Sequence, residues 1–146
     1  MRIAIVVSRF NDFVTDRLLA GAQEALREQG IADSDVELMR VPGAFELPVA
    51  AQRLAETGRV SAVVCLGCLI KGATPHFEYI ASACAHGITQ AASATGIPMA
   101  FGVLTTNSVE EALERAAPDD SNKGREAALA ALDMARLFES LSDRPS

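Results

Sequence analysis

Two histidines occur in the chain, and one lies in KGATPH (71–76), between an apolar run and an alanine-rich stretch. Gly72 lets the backbone turn tightly. Thr74 is a good N-cap, and Pro75 suits a first helical position. Free backbone N–H groups and the positive end of the helix dipole then face one space, an arrangement suited to phosphate. His76 is expected in that first turn, where the dipole disfavours imidazolium and leaves a neutral imidazole able to take or give a proton. The competing reading is a helix cap carrying a partly exposed histidine. His86, deep in the alanine-rich stretch, is expected to be structural.

Other segments carry chemistry more ambiguously. In SRFNDF (8–13), one of Phe10 and Phe13 can stack on a flat ligand while the other serves as core or staple. In VPGAFELP (41–48), Pro42-Gly43 signals a turn and Glu46 falls in the first turn of a following helix, where a glutamate is favourable with or without a ligand. Arg115 and Lys123 bracket APDDS. The first offers a phosphate a bidentate fork, while the second is spaced i, i+3 from Glu126 as an ordinary surface pair. GCLIKGAT has glycine spacing like a nucleotide P-loop, but Ala73 stands where the lysine belongs. Cys65 and Cys68 have zinc or redox spacing without a second pair, so buried structural thiols are expected.

These segments must be placed by secondary structure. Four apolar, β-branched runs read as strands: RIAIVV (2–7), VELMRV (36–41), VSAVVCLG (60–67) and PMAFGVLT (98–105). Helical stretches separate them: TDRLLAGAQEALREQG, FELPVAAQRLAETG with Pro48 in its first turn, and a third from Pro75 to Gly96. SVEEALERA and NKGREAALAALDMARLFESL follow the last strand. Alternation of this kind predicts an α/β doubly wound, flavodoxin-like sheet of four parallel strands flanked by helices. Residues 1–141 form one domain in this reading, with 142–146 a flexible tail. The segments singled out above then follow the carboxyl ends of strands, where such sheets bind ligands. Small residues in the third long helix (Ala81, Ala83, Ala85, Gly87, Ala91 and Ala92) predict close packing, within the chain or between copies.

Composition sets the outer bounds. With 146 residues, a core can form in one domain. Thirteen basic against nineteen acidic residues give a charge of −6, contrary to the basic stripe of a nucleic-acid binder. No run approaches the ~20 apolar residues of a membrane helix, and the first residues lack a signal-peptide layout. Three cysteines, an odd number, fit a reducing, cytoplasmic setting.

Taken in order and spacing, VVSRFNDFVTDRLLAGA, VPGAFELP, GCLIKGATPHFEYI, GIPMAFGVLTT and LERA…SNKG resemble the lumazine synthase family, from Ile3 to about Met134. The resemblance implies condensation of 5-amino-6-(D-ribitylamino)uracil with 3,4-dihydroxy-2-butanone 4-phosphate to 6,7-dimethyl-8-ribityllumazine, the penultimate step of riboflavin biosynthesis, without metal or organic cofactor. It implies that Phe10 stacks on the pyrimidine, that Ala44, Phe45 and Glu46 meet the ribityl chain and ring, and that Cys68, Leu69 and Ile70 line the uracil pocket. By the same resemblance Ala73, Thr74 and Arg115 face the phosphate and His76 is the proton donor. Phe101 is a further pyrimidine contact, and Lys123 faces the substrates. Phe101 and the arginine come from the adjoining subunit in the family, so the implied partner is a second copy, in a homopentamer or a larger assembly.

The chain departs from the family at Lys71, where many members have arginine, which keeps the charge and loses the fork. Pro75 and Phe77 are variants compatible with a helix start. The chain opens at RIAIVV, whereas many relatives carry an N-terminal segment that adds a strand to a neighbour; a pentamer is expected, with a sixty-subunit cage left open. Two readings compete with the synthase: a flavodoxin-like protein that binds flavin or lumazine without turnover, and a riboflavin synthase of archaeal type. A phosphorelay receiver needs clustered aspartates after strands one and three, which VVSRF and CLGCL lack.

Overall fold

β-branched and apolar residues dominate the four strands of the sheet, because such side chains fit a pleated surface covered on both faces. A computed structural model describes residues 1–72 and 76–142 of the chain. Strands β1 (Ile3–Ser8), β2 (Val36–Val41), β3 (Ala62–Ile70) and β4 (Met99–Thr106) are all parallel, in the order β2-β1-β3-β4. Every residue of β1 and β3 is buried, as central strands require.

Five α-helices cover the sheet: α1 (Asp12–Glu28), α2 (Leu47–Glu56), α3 (Phe77–Thr95), α4 (Val109–Arg115) and α5 (Lys123–Ser142). Alternate strand residues Ile3, Ile5 and Val7 join Leu18, Ala22 and Leu26 of α1 and Ala128 and Leu132 of α5 in one core layer. Ala4, Val6, Val63 and Cys65 point the other way, into a layer with Leu47, Leu54, Cys84 and Ile88 of α2 and α3. The chain is therefore doubly wound. The order reverses at β1, and the carboxyl ends of β1 and β3 flank the switch point.

Among the boundaries that differ from expectation, three bear on the site. β3 runs to Ile70 rather than ending at Gly67, because its ladder with β4 continues through Cys68↔Leu104, Leu69↔Thr105 and Ile70↔Thr106. α3 begins at Phe77; His76 occupies the N-cap position, its backbone at φ −100° and ψ 15° lying outside the helical well, though its carbonyl accepts from the Ile80 N–H at 2.9 Å. The expected cap and first residue, Thr74 and Pro75, lie outside the described residues, as does Ala73. Glu46 closes a 3₁₀ turn (Ala44–Glu46) and stands at the N-cap position of α2 rather than in its first turn.

His86 is exposed on α3 rather than buried as structure, because that helix turns only Cys84, Ile88 and Ala91 fully inward. Close packing of the small residues is realised at Gly87, where a Cβ would come within 2.7 Å of Pro48 on α2. Ala83, by contrast, is exposed. Among the described residues no helix is long and apolar enough to cross a membrane.

Candidate active site

At the switch point the loop after β1 is held by backbone bonds that prolong the sheet. Arg9 N–H donates to Val41 O at 2.8 Å and Phe10 N–H to Pro42 O at 3.0 Å, so Phe10 is moored beside the Pro42-Gly43 turn. Phe10 is 53% exposed, and Phe13 is exposed as well; neither is a core residue. Phe45, on the 3₁₀ turn after β2, is 64% exposed, whereas Ala44 beside it is buried. Two aromatic faces thus stand open at one edge of the sheet, which suits a flat heterocycle. The Glu46 carboxylate folds back over Gly43, its Oε1 lying 3.3 Å from where a glycine Cβ would be.

The third wall is the end of β3. Cys68, Leu69 and Ile70 are buried, so this wall offers mainly backbone to a ligand. Asn11 joins it to the first wall: its Nδ2 donates to Cys68 O at 2.9 Å across the β1–β3 crevice. Asn11 has φ 62°, and is the one non-glycine residue at positive φ among the described residues. Asparagine tolerates that left-handed conformation better than most residues. Its carbonyl also accepts from Val14 and Thr15 N–H, opening α1. The motifs assigned Asn11 no role; an asparagine between a strand end and a helix start was the available signal.

Lys71 and Gly72 follow, both exposed, with Lys71 N–H donating to Thr106 O at 2.8 Å. Gly72 has φ 87°, and a Cβ placed on it would meet nothing within 4 Å, so the need for glycine is conformational rather than steric. His76, exposed at the N-terminal end of α3, stands on the same side of the sheet.

Phe101, Arg115 and Lys123 belong elsewhere on the molecule. They line an open groove of ≈ 690 Å³ along the free edge of β4, together with Glu126 and Ala130. Phe101 is 46% exposed and pairs with Cys65, five residues before the end of β3. At ~3.3 Å per residue it lies about 16 Å below the carboxyl edge. Arg115 pairs with Glu111 one turn back on α4, and Lys123 with Glu126 at 2.8 Å, the spacing expected for the latter. Glu111 also accepts from Asn107 N–H, while Ser108 Oγ accepts from Glu111 N–H, so an S-x-x-E capping pattern aligns the arginine's partner. Within one chain the two groups of residues do not converge.

Cys65, Cys68 and Cys84 are buried free thiols. Burial pushes Cys65 up to about 12, with Cys84 nearby adding to the rise, and pushes Cys68 and Cys84 to about 11. Protonated thiols are poor nucleophiles and poor metal ligands, as the structural reading expects. Among the described residues no group of three or more His, Cys, Asp or Glu could hold a metal ion. A cavity of ≈ 410 Å³ between α1 and the α4–α5 connection, lined by Arg17, Glu28, Asp119 and Arg125, includes no strand-end residue.

Comparison with known proteins agrees with the resemblance read from the motifs. A family model described as 6,7-dimethyl-8-ribityllumazine synthase matches residues 1–139. Among curated proteins, the 6,7-dimethyl-8-ribityllumazine synthase of Halorhodospira halophila is 49% identical over 140 residues, covering 96% of this chain and 90% of that protein. The protein of the same name from Syntrophus aciditrophicus is 50% identical over 141 residues, covering 97% and 92%.

Proposed function

Because the chain belongs to the 6,7-dimethyl-8-ribityllumazine synthase family, we propose that it condenses 5-amino-6-(D-ribitylamino)uracil with 3,4-dihydroxy-2-butanone 4-phosphate in a site completed by a second copy of the chain. The pyrimidine stacks on Phe10, with the backbone at Cys68–Ile70 reading its polar edge. The Ala44–Glu46 turn holds the ribityl chain, Glu46 accepting from a hydroxyl. Ala73 and Thr74 face the phosphate. Phe101, Arg115 and Lys123 enter from the adjoining copy, which brings a guanidinium fork to the same phosphate. A homopentamer is the assembly that fits the family, and the unpaired thiols suit a reducing cytoplasm.

Amine and ketone first form an imine with loss of water. Elimination of phosphate, ring closure and a second dehydration then give the lumazine. Each step moves a proton, the role given to His76 at the mouth of α3. Most of the acceleration comes from orientation, since holding two reactants together removes much of the entropic barrier to a bimolecular step.

The observation that carries this reading is the juxtaposition of exposed Phe10 and Phe45 with the buried β3 end across the switch point. Incubating the protein with both substrates tests it: lumazine fluorescence should appear, and His76→Ala should slow its appearance by ~10²–10⁴-fold while leaving pyrimidine binding intact. A protein that purifies yellow and converts nothing is a binding module. One that turns over lumazine supplied alone is a riboflavin synthase.

A further inference from the structure

We propose that Asn122 is a positioning residue for the anion-binding half of the site, fixing the end of α4, and with it Arg115, against the start of α5. The proposal rests on the assignment of Arg115 to the phosphorylated ketone. Among the described residues, the Arg115 and Lys123 side chains pair with Glu111 and Glu126, in partly and largely exposed pairs that are individually weak. What places them is the backbone on either side of Ala117–Ser121, a connection whose residues Pro118–Ser121 are exposed.

Asn122 is 1% exposed and sits between α1, α4 and α5. Its Nδ2 donates to Ala116 O at 3.1 Å, to Ala117 O at 3.0 Å and to Arg17 O of α1 at 3.2 Å. Ala116 directly follows Arg115, so the amide grips the residue next to the guanidinium-bearing one. Its Oδ1 accepts from Arg125 N–H at 3.0 Å and caps α5, on which Lys123 is the first residue. The pocket is cut to this side chain. A Cβ on Gly21 would collide with Asn122 Oδ1, so α1 passes this closely only because it carries glycine there.

The two ends of the amide separate the two cations. Oxygen holds α5 and Lys123, and nitrogen holds the end of α4 and Arg115. Asn122→Ser retains an acceptor for the α5 cap and loses the nitrogen. It is expected to raise KM for 3,4-dihydroxy-2-butanone 4-phosphate about tenfold, leaving pyrimidine KM and kcat at saturating ketone within about twofold. Asn122→Asp, isosteric and also able to cap, is the second variant and should show the same split. In an Arg115→Ala background Asn122→Ser should have no further effect on ketone KM, because the group it positions is gone. A core variant of comparable melting temperature, Leu26→Val, should leave both KM values unchanged. Equal rises in both KM values, no rise in ketone KM, or additivity with Arg115→Ala would overturn the positioning role. An unaltered ketone KM in Arg115→Ala alone would instead overturn the assignment of Arg115.

Discussion

At the scale of single residues, two side chains do more than their types announce. Asn11 closes the crevice between β1 and β3 with one hydrogen bond, and does so from a backbone conformation that glycine adopts more readily. Replacing it separates those effects. Asn11→Gly relieves the conformational cost and loses the bond, so stability should change by less than about 1 kcal/mol while the loop carrying Phe10 loosens. Asn11→Asp keeps the shape but sets a carboxylate against Cys68 O, which should cost about 1–3 kcal/mol. Denaturant midpoints measure the stability, and both variants should raise KM for the pyrimidine; an unchanged pyrimidine KM in both would detach Asn11 from the site. Cys65 makes a different prediction. Its thiol ionises at about 12 when folded against 9.0 for an unperturbed one, so above pH 9 the unfolded chain gives up a proton that the native chain retains. Stability contributed by that burial is complete below pH 9 and is lost as pH rises toward 12, with a limiting slope of about 1.4 kcal/mol per pH unit. Cys65→Ala should flatten the alkaline limb of a stability–pH curve, and identical slopes would show that the thiol does not govern it.

At the scale of elements, the close approach of α5 to α1 depends on one missing methyl. A Cβ on Gly124 would collide with Leu18 O, and the obstacle is backbone that cannot rotate aside. Gly124→Ala should therefore lower stability by about 3 kcal/mol despite its better helix propensity, with the loss read from thermal unfolding. A melting temperature equal to that of the unsubstituted chain would mean that the helices slide apart freely. Gly124 was visible in the sequence only as a glycine near a helix start, whereas the order of strands and helices was visible in full. Alternation of β-branched runs with amphipathic stretches is local and repeated, so RIAIVV and the helix containing Leu18 and Leu26 announced themselves. The end of β3 did not, because CLIK holds no breaker and its extent is set by pairing with β4. Asn122 was hidden for the same reason: one of its partners, Arg17 O, lies 105 residues away in sequence.

At the scale of the whole molecule, the separation of the two residue groups is the feature with the widest consequence. Phe10, Phe45 and His76 stand at the carboxyl edge, while Phe101, Arg115 and Lys123 line a groove on the free edge of β4. No hinge within a continuous parallel sheet can bring residue 101 up to that edge, since its register is fixed by the β3 ladder from Val63↔Met99 to Ile70↔Thr106. The proposed shared site instead requires a second chain laid against β4, with its own carboxyl edge meeting the groove from outside. Residue pattern within a single chain cannot reveal this arrangement; only the family resemblance carried it. Mixing experiments decide it. At ketone concentrations well below the KM of Arg115→Ala, His76→Ala and Arg115→Ala each impair every site in a homo-oligomer, but a site formed between an Arg115→Ala chain supplying its histidine and a His76→Ala chain supplying its arginine is intact. If the two impaired proteins are unfolded together and refolded at equal amounts, random assembly in a closed ring leaves about one site in four with both groups. Activity should recover to about a quarter of the unsubstituted level, and sedimentation should show no species as small as a single chain. If the mixture is no more active than its parts, although assembled, each chain completes its own site and the shared-site reading fails.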